Sequence, residues 1–380
     1  MRLIIHDLDQ TQWKQIEKDY EDCEIVSDNG KIKPCVGCFG CWNKDPGKCV
    51  MNDGYENMGY LIHHAKEVIV ISRYTYGGVS SFVKNVFDRS LSYVLPHFEI
   101  FDGESHHKKR YEEEKPYTFI FYGHDLSDRE KESARRYVKA VSNNMHTQIK
   151  DVIFKECEEE KRPSVTKTED PHKKVILLNA SMRFKDGNSA KLSKQLSTKL
   201  KKENQIIDLA RYLNNMDELV KILEESSDLV FCTPLYVDGL PSQLIRLMET
   251  MQKKYQGESK KVYLLANMGL YEDRQLVNLF EATKQWCAVM NFDYSGGLGI
   301  GAGELVGGFM NAGRFGKWPL KQIAKGMDQL SLAIDRNSKM EDIFCGPEFP
   351  RFLYLAIANS GWKAMAKQNG ITEKDLFRQL

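Results

Sequence analysis

Polar side chains that suit a phosphate group are concentrated between residues 179 and 189, in the sequence NASMRFKDGNS. The candidates are Asn179, Ser181, Arg183, Asn188 and Ser189. Hydroxyls, a guanidinium and the N–H groups of a helix N-terminus bind phosphate well, because the helix dipole and the charges act in the same sense. Gly187 lets the backbone turn just before the helix begins. The segment therefore predicts a phosphate-binding loop, and an ordinary strand-to-helix connection is the alternative.

The loop matches neither of the two common phosphate motifs. It has no G-x-x-x-x-G-K-S/T and no G-x-G-x-x-G. The sequence therefore disfavours a P-loop nucleotide hydrolase and a classical dinucleotide-binding domain.

Four cysteines lie close together near the N-terminus, in PCVGCFGCWNKDPGKC, with the spacing C-x2-C-x2-C-x7-C. They are Cys35, Cys38, Cys41 and Cys49. Thiolates at intervals of three on a glycine-containing loop can converge on a four-iron, four-sulfur (4Fe–4S) cluster, and zinc takes the same ligands. A thiol-rich loop packed around Trp42 without a metal is the third interpretation, and the spacing leaves all three open.

Buried strands must position these loops. Apolar runs at residues 2–8, 67–72, 117–122, 175–178, 228–233 and 262–266 predict strands, and amphipathic segments follow several of them. This alternation is typical of an α/β fold with parallel sheets. Tyr74 and Tyr76, at the carboxyl end of one predicted strand, suit a planar ring system or else pack a domain interface.

Two further segments predict loops. The charged segment 102–116 predicts an exposed excursion, and its adjacent His106 and His107 would not face one metal ion. The sequence DYSGGLGIGAGE at 293–304 has side chains too small to pack a core. We therefore expect a glycine-rich loop there, which either approaches a ligand or is simply flexible.

The two halves of the chain share one organisation. Ser72 and Thr233 each end a predicted strand, and Asp88 and Glu249 follow them in amphipathic helices at the same interval. This predicts a tandem repeat of one fold, with a first domain at 1–154, a linker at 155–172 and a second domain at 173–380 that ends in an aromatic tail. The first domain holds the cysteines, whereas two carboxylates in its first loop would repel phosphate.

Composition excludes several classes of partner. The 380 residues carry 54 basic and 53 acidic side chains, so a net charge of +1 gives no electrostatic reason to expect nucleic acid or an anionic membrane. No apolar run reaches membrane-spanning length, and the start MRLIIHDLDQ does not have the pattern of a signal peptide. Nine cysteines, four of them clustered, fit a reducing compartment, so we expect a cytoplasmic protein.

These motifs together resemble the flavodoxin-like NAD(P)H-dependent FMN reductases, and the cysteine motif resembles the iron–sulfur flavoprotein branch of that family. The resemblance covers both halves and is specific in the segments 34–53, 179–189 and 233–249. It implies two tandem flavodoxin-like, doubly wound parallel sheets with FMN at the carboxyl edge.

The resemblance also assigns residues. Ser181, Arg183, Asn188 and Ser189 would hold the FMN phosphate. The residues bordering the flavin ring would be Pro234, Leu235, Tyr236, Val237, Asp238, Asn267, Met268 and Gly269. Cys35, Cys38, Cys41 and Cys49 would be the ligands of a 4Fe–4S cluster.

The function implied is an NAD(P)H-dependent flavin oxidoreductase that passes electrons to an unidentified small-molecule or protein acceptor, with the flavin carrying the chemistry. Family members commonly dimerise, so the two fused copies would form an internal pseudo-dimer, alone or within a homo-oligomer. Two other functions stay open: a non-enzymatic flavin electron carrier or redox sensor, and a zinc-stabilised binding protein that lost the cofactor.

Overall fold

Buried apolar strands form two separate parallel sheets in the computed structural model, which describes residues 1–158 and 174–380. The chain divides into two compact units. Unit 1 consists of Met1–Glu160 and Leu355–Leu380, and unit 2 of Lys161–Tyr354.

Unit 1 is built around a five-stranded sheet. Its strands and those of an attached hairpin are β1 (Arg2–His6), β2 (Cys23–Ser27), β3 (Val68–Arg73), β4 (Val94–Phe101), β5 (Glu104–Lys109), β6 (Pro116–Gly123) and β7 (Gln148–Glu156). Its helices are α1 (Gln10–Ile16), α2 (Gly40–Asn43), α3 (Met58–His64), α4 (Ser81–Asp88) and α5 (Asp128–Met145). The sheet has the order β2-β1-β3-β6-β7 with every pair parallel, and β4 and β5 form a separate antiparallel pair.

Unit 2 is built around a six-stranded parallel sheet. Its strands are β8 (Val175–Asn179), β9 (Asn204–Asp208), β10 (Asp228–Pro234), β11 (Lys261–Asn267), β12 (Asp293–Ile300) and β13 (Ile343–Cys345). The helices that follow are α6 (Asn188–Ser197), α7 (Met216–Glu224), α8 (Ser242–Lys254), α9 (Val277–Met290), α10 (Gly303–Asn311), α11 (Lys321–Asp335) and α12 (Arg351–Gln368), and the boundary between the units falls within α12. The strand order is β13-β12-β11-β10-β8-β9.

Numbered within each unit, the central strands of both sheets follow the order 2-1-3-4-5, which is that of the flavodoxin-like doubly wound fold. The predicted fold class is therefore confirmed. Burial explains why the strands are apolar. All five residues of β8 are buried, as a strand covered on both faces requires.

The two units also share a tight turn after the third strand. Thr75 pairs with Gly78 in unit 1, and Tyr236 pairs with Gly239 in unit 2, each by two backbone hydrogen bonds. The helices α4 and α8 begin at corresponding positions, Ser81 and Ser242. The common organisation of the two halves predicted from sequence is thus present at this turn.

The prediction of an exposed excursion at 102–116 is wrong. Residues 104–109 form strand β5, which pairs with β4, and His106 is 3% exposed. The ring of His107 packs against Trp42 and Phe98, with centroid distances of 4.7 and 4.8 Å. The many charges of the segment suggested solvent exposure, but pairing with β4 buries part of it.

The glycine-rich loop predicted at 293–304 is wrong over most of its length. Residues 293–300 form the buried strand β12. A Cβ on Gly297 would lie 2.5 Å from the Leu264 backbone oxygen, and one on Gly299 would lie 2.8 Å from the Phe344 ring. The glycines therefore allow neighbouring chain segments to approach closely, which replaces the packing that larger side chains would give.

The predicted domain boundaries differ from the units at two places. Lys155 and Glu156, the first residues of the predicted linker at 155–172, end strand β7, and residues 159–172 lie outside the described residues. The predicted second domain ran to residue 380, whereas Leu355–Leu380 packs with unit 1.

Both aromatic and polar groups hold this C-terminal segment. The Trp362 ring meets the rings of Phe39 and Trp42 edge-on, each at 5.3 Å, and the buried Arg110 guanidinium donates to the backbone oxygens of Leu376 and Arg378.

Among the described helices, none combines the length and the apolar character needed to cross a bilayer.

Candidate functional site

The two predicted binding segments of unit 2 meet at one edge of its sheet. β8 and β10 are neighbours, while β9 lies on the far side of β8 and β11 on the far side of β10. The winding of the chain therefore reverses between β8 and β10, and ligands of open α/β sheets bind outside the carboxyl ends of the strands at such a point. The loop 180–187 follows β8 here, and the turn 235–241 follows β10.

Helix α6 begins at this edge without a side-chain cap. Gly187 is its N-cap residue, and no described side chain hydrogen-bonds there as a cap. The N–H groups of a first helical turn need acceptors from outside the helix, and the helix dipole makes anions favourable acceptors. The start of α6 therefore suits an anion such as a phosphate group.

Ser181 lies directly against this helix start. A Cβ added to Gly187 would come within 2.5 Å of the Ser181 hydroxyl oxygen. That oxygen accepts a hydrogen bond from the Arg183 backbone N–H at 3.3 Å, which fixes its position. Glycine at 187 therefore leaves the space that brings a hydroxyl up to the first turn of α6.

Arg183 places its guanidinium on the same loop. Its Nη1 donates to the Glu304 carboxylate at 3.1 Å, and Glu304 lies in the first turn of α10. Asn188, the first residue of α6, packs its side chain against α10, where a Cβ on Gly307 would overlap the Asn188 oxygen at 1.9 Å. Helix α10 therefore borders the loop 180–187 and the start of α6.

Asn267 joins the phosphate loop to the two loops beside it. Its side-chain oxygen accepts from the Ser189 hydroxyl at 2.7 Å, and its backbone oxygen accepts from the Leu235 N–H at 2.8 Å. Asn267 is 5% exposed, so these bonds are shielded from water. This residue therefore fixes the spacing between α6, the turn after β10 and its own loop.

The turn after β10 has unusual backbone geometry. Val237 and Asp238 have φ values of +36° and +58°, and Tyr236 and Gly239 close the turn with hydrogen bonds of 3.1 and 3.0 Å. A positive φ is costly for a β-branched residue such as valine. Strained backbone of this kind is concentrated at functional sites.

The loop after β11 borders open space. A Cβ built on Gly269 meets nothing within 4 Å, and Gly269 is exposed, whereas the neighbouring Met268 is 2% exposed. The Met268 backbone is held by hydrogen bonds to Ile300 and from Gly303. This loop therefore offers backbone at its surface, and the Met268 side chain belongs to the core.

The structure brings the predicted phosphate residues together, but it uses three of the five internally. The Asn179 side-chain N–H donates to the Asp208 carboxylate at 2.8 Å, and Asn179 is fully buried. The Ser189 hydroxyl donates to Asn267, and the Asn188 side chain faces Gly307. Sequence analysis missed Glu304 and Gly307. Glu304 is the last residue of the predicted glycine-rich loop and Gly307 comes just after it, and no local pattern shows that this part of the chain returns to a loop more than a hundred residues earlier.

In unit 1 the four cysteines gather at one loop. Burial raises the pKa of the Cys41 thiol well above its ordinary value, and the nearby sulfur atoms of Cys35, Cys49 and Cys38 raise it further. Burial likewise raises the pKa of Cys35, to about 12. Cys38 is exposed. Burial therefore disfavours the thiolate form of both Cys35 and Cys41.

A buried ion pair fixes this cysteine loop. Arg89, which is 2% exposed, forms two hydrogen bonds with Asp53 at 2.8 and 2.9 Å, and its Nε donates to the Cys49 sulfur at 3.2 Å. Across residues 1–158 and 174–380, no three His, Cys, Asp or Glu side chains form a group that could hold a metal ion. The predicted 4Fe–4S cluster and the zinc alternative thus find no support in this arrangement.

No protein-family model and no curated protein matches the chain. Similar solved structures include the Trp repressor binding protein from Bacillus subtilis, with 18% identity, a TM-score of 0.28 and coverage of 33% of this chain and 81% of that one. An azoreductase from Bacillus anthracis has 14% identity, a TM-score of 0.31 and coverage of 43% and 99%. General stress protein 14 from Treponema denticola, in complex with FMN, has 11% identity, a TM-score of 0.23 and coverage of 52% and 99%. Values of this size do not define a family for the chain.

Proposed function

We propose that unit 2 binds FMN and that the chain is an FMN-dependent oxidoreductase, which passes electrons from NAD(P)H or another reduced donor to a small-molecule or protein acceptor. The observation that carries this proposal is the uncapped start of α6, lined by Gly187, Ser181 and Arg183, at the switch point of the sheet. In flavodoxin-like folds with this strand order, FMN occupies the switch point.

The described residues fit the phosphate of FMN. The first N–H groups of α6 and the Ser181 hydroxyl would donate hydrogen bonds to it, and the Arg183 guanidinium would supply the positive charge. The side chains of Asn188 and Ser189 would act indirectly, since they hold α6 against α10 and against Asn267.

The neighbouring loops fit a planar ring. The turn at Tyr236 to Gly239 and the exposed backbone at Gly269 lie at the carboxyl ends of β10 and β11, next to the phosphate loop. Bound FMN supplies the redox chemistry, and the residues of this chain bind it, orient it and limit its contact with water. Asn267 would keep the loops for the phosphate and the ring at a fixed spacing.

The first test separates the phosphate from the ring. We expect purified, flavin-free protein to bind FMN more tightly than riboflavin, measured by quenching of flavin fluorescence. R183Q is expected to weaken FMN binding by about tenfold, because a charge-assisted contact with the phosphate is lost, and to leave riboflavin binding unchanged. R314Q, at an exposed arginine of unit 2, is the matched control. Equal binding of FMN and riboflavin by the wild-type protein would contradict a phosphate site at α6.

Turnover separates an enzyme from an electron carrier. The FMN-loaded protein should oxidise NADH or NADPH repeatedly when an electron acceptor such as a quinone or ferricyanide is present. A single slow reduction of the flavin without turnover would instead favour the electron carrier or redox sensor.

In this proposal electrons do not pass through the cysteine loop, because its described side chains do not form a group that could hold a metal ion. Iron and zinc analysis of protein purified without oxygen checks this, and about four irons per chain would restore the cluster.

A further inference from the structure

The cation of the phosphate loop already has an anionic neighbour. Arg183 Nη1 lies 3.1 Å from Glu304 Oε1, with the two side chains 34% and 56% exposed. Both groups are therefore accessible to solvent, and a bound phosphate would lie next to a carboxylate as well as a guanidinium.

The backbone, rather than the ion pair, fixes the position of Glu304. Glu304 comes directly after Ala302 and Gly303. The Gly303 N–H donates to the Met268 backbone oxygen, and the Ala302 N–H donates to the Leu270 backbone oxygen at 2.7 Å. Ala302 has a φ of +52°, so the chain turns sharply into α10 at this point. One turn later, Gly307 packs against Asn188 of α6.

This placement keeps the carboxylate beside the start of α6. The first turn of α10 also favours an acidic side chain, because it lies at the positive end of the helix dipole. Glu304 therefore has two local reasons to stay where it is, and neither depends on a ligand.

The carboxylate and a phosphate would compete for one guanidinium. An arginine can bind both groups through different N–H donors, but the two anions repel each other at such short range. We propose that Glu304 is an internal counter-ion that competes with the ligand phosphate for Arg183 and so lowers the affinity of unit 2 for phosphorylated flavin. This inference rests on the proposed FMN site at α6.

The proposal makes Glu304 a determinant of ligand selectivity. Its charge acts against the phosphate and not against the flavin ring, so it narrows the difference in affinity between FMN and riboflavin. The loss of FMN affinity is small, because the Glu304 and Arg183 side chains are partly exposed and water screens their charges.

The experiment compares wild-type protein with E304Q, which removes the charge and keeps the size of the side chain. FMN and riboflavin are titrated into flavin-free protein in parallel, at low and at physiological salt. We expect E304Q to bind FMN about 3- to 10-fold more tightly at low salt, with a smaller gain at higher salt, because exposed charges are screened. Riboflavin affinity should not change. E341Q, at an exposed glutamate of unit 2, is the matched control.

Three results would overturn the inference. Weaker FMN binding by E304Q would show that Glu304 holds Arg183 in place for the phosphate. Unchanged FMN binding would show no competition, and equal tightening of riboflavin would place the effect on the ring. These outcomes are separate from failure of the proposed function, in which neither wild-type protein nor E304Q would bind FMN more tightly than riboflavin.

The same comparison in the R183Q background locates the competition. If Glu304 acts through Arg183, E304Q should improve the free energy of FMN binding at most half as much in the R183Q background as in the wild-type background. In R183Q only the direct repulsion between Glu304 and the phosphate remains. An undiminished gain would remove Arg183 from the mechanism.

Discussion

Helices α1 and α6 both follow the first strand of a parallel sheet, but only α1 is capped by an acidic side chain. The Asp9 carboxylate accepts hydrogen bonds from the Thr11 and Gln12 N–H groups at 2.7 and 2.8 Å. At the start of α6 the corresponding residue is Gly187, with Ser181 and Arg183 nearby. Unit 1 thus supplies its own anion at the position where unit 2 leaves room for one.

The carboxyl ends of β6 in unit 1 and β11 in unit 2 show the same contrast. The Tyr74 N–H bonds to Tyr122, as the Leu235 N–H bonds to Asn267, so Tyr122 and Asn267 occupy corresponding places. Tyr122 donates its hydroxyl to Asp7 at 2.6 Å, whereas Asn267 accepts from Ser189 of α6.

The Asp7 carboxylate occupies the carboxyl end of the unit 1 sheet. Besides Tyr122, its carboxylate accepts from the Arg73 N–H at 3.0 Å and lies 3.4 Å from the Ser72 hydroxyl. The same strand order therefore accompanies a carboxylate at the sheet end in unit 1 and the proposed ligand site in unit 2, and the two units differ in the loop after the first strand.

The largest expected difference between the two units is in their stability at acidic pH. Burial lowers the pKa of His107 to about 4, whereas a histidine of the unfolded chain titrates near 6.5. The unfolded state therefore binds more protons between these values, and the stability that His107 contributes above pH 6.5 is lost as the pH falls towards 4, by up to roughly 3 kcal/mol. Burial also lowers the pKa values of His97 and His146, which adds to the loss.

None of the described residues of unit 2 is a histidine, so this loss should be confined to unit 1. Hydrogen exchange, corrected for its intrinsic pH dependence, should show opening of β4 and β5 at pH 4.5 while β10 and β11 stay protected. Equal loss of protection in both sheets would contradict the comparison.

Removing the internal carboxylate should destabilise unit 1 by a smaller amount. D7A leaves the Arg73 N–H and the Tyr122 hydroxyl without this acceptor, which should cost about 2 kcal/mol in the free energy of unfolding. Urea unfolding measures the change, with D19A at an exposed position as the control. FMN binding by unit 2 should be unaffected, and a comparable loss of FMN affinity would argue that the two edges are not independent.

Filling the space at the start of α6 in unit 2 should give the smallest change in free energy. G187A introduces a Cβ that would lie 2.5 Å from the Ser181 hydroxyl oxygen, so Ser181 must move. We expect FMN affinity to fall by about tenfold, or 1.4 kcal/mol. G308A is the control, because a Cβ there meets nothing within 4 Å and alanine favours the helix. Unchanged FMN affinity in G187A would remove Ser181 from the site.

Local pattern was sufficient to predict the central strands and the loop that joins β8 to α6. The runs at 175–178 and 228–233 are apolar throughout, and only buried parallel strands need such runs. The carboxyl ends of these strands then lie at one edge, so the sequence also predicted where Ser181 and Tyr236 would lie.

Features that depend on distant partners escaped prediction. The glycines of β12 are explained only by the atoms of Leu264 and Phe344 that pack against them, and the proximity of Glu304 to Arg183 is visible only in the structure. The charges around His106 likewise masked a strand whose partner, β4, determines its burial. In each case the deciding contact lies elsewhere in the sequence, where composition and periodicity give no signal.

The position of Leu355–Leu380 has a consequence for synthesis. Trp42 is 1% exposed in the folded protein, but its neighbour Trp362 is synthesised only after the whole of unit 2. At about 5–20 residues per second, the intervening chain takes roughly 15 to 65 seconds to make, and during that time unit 2 can complete its fold. Unit 1 is therefore completed only after unit 2 has been synthesised, and a chain that stopped at residue 354 would contain all of unit 2 but lack the segment Leu355–Leu380 of unit 1.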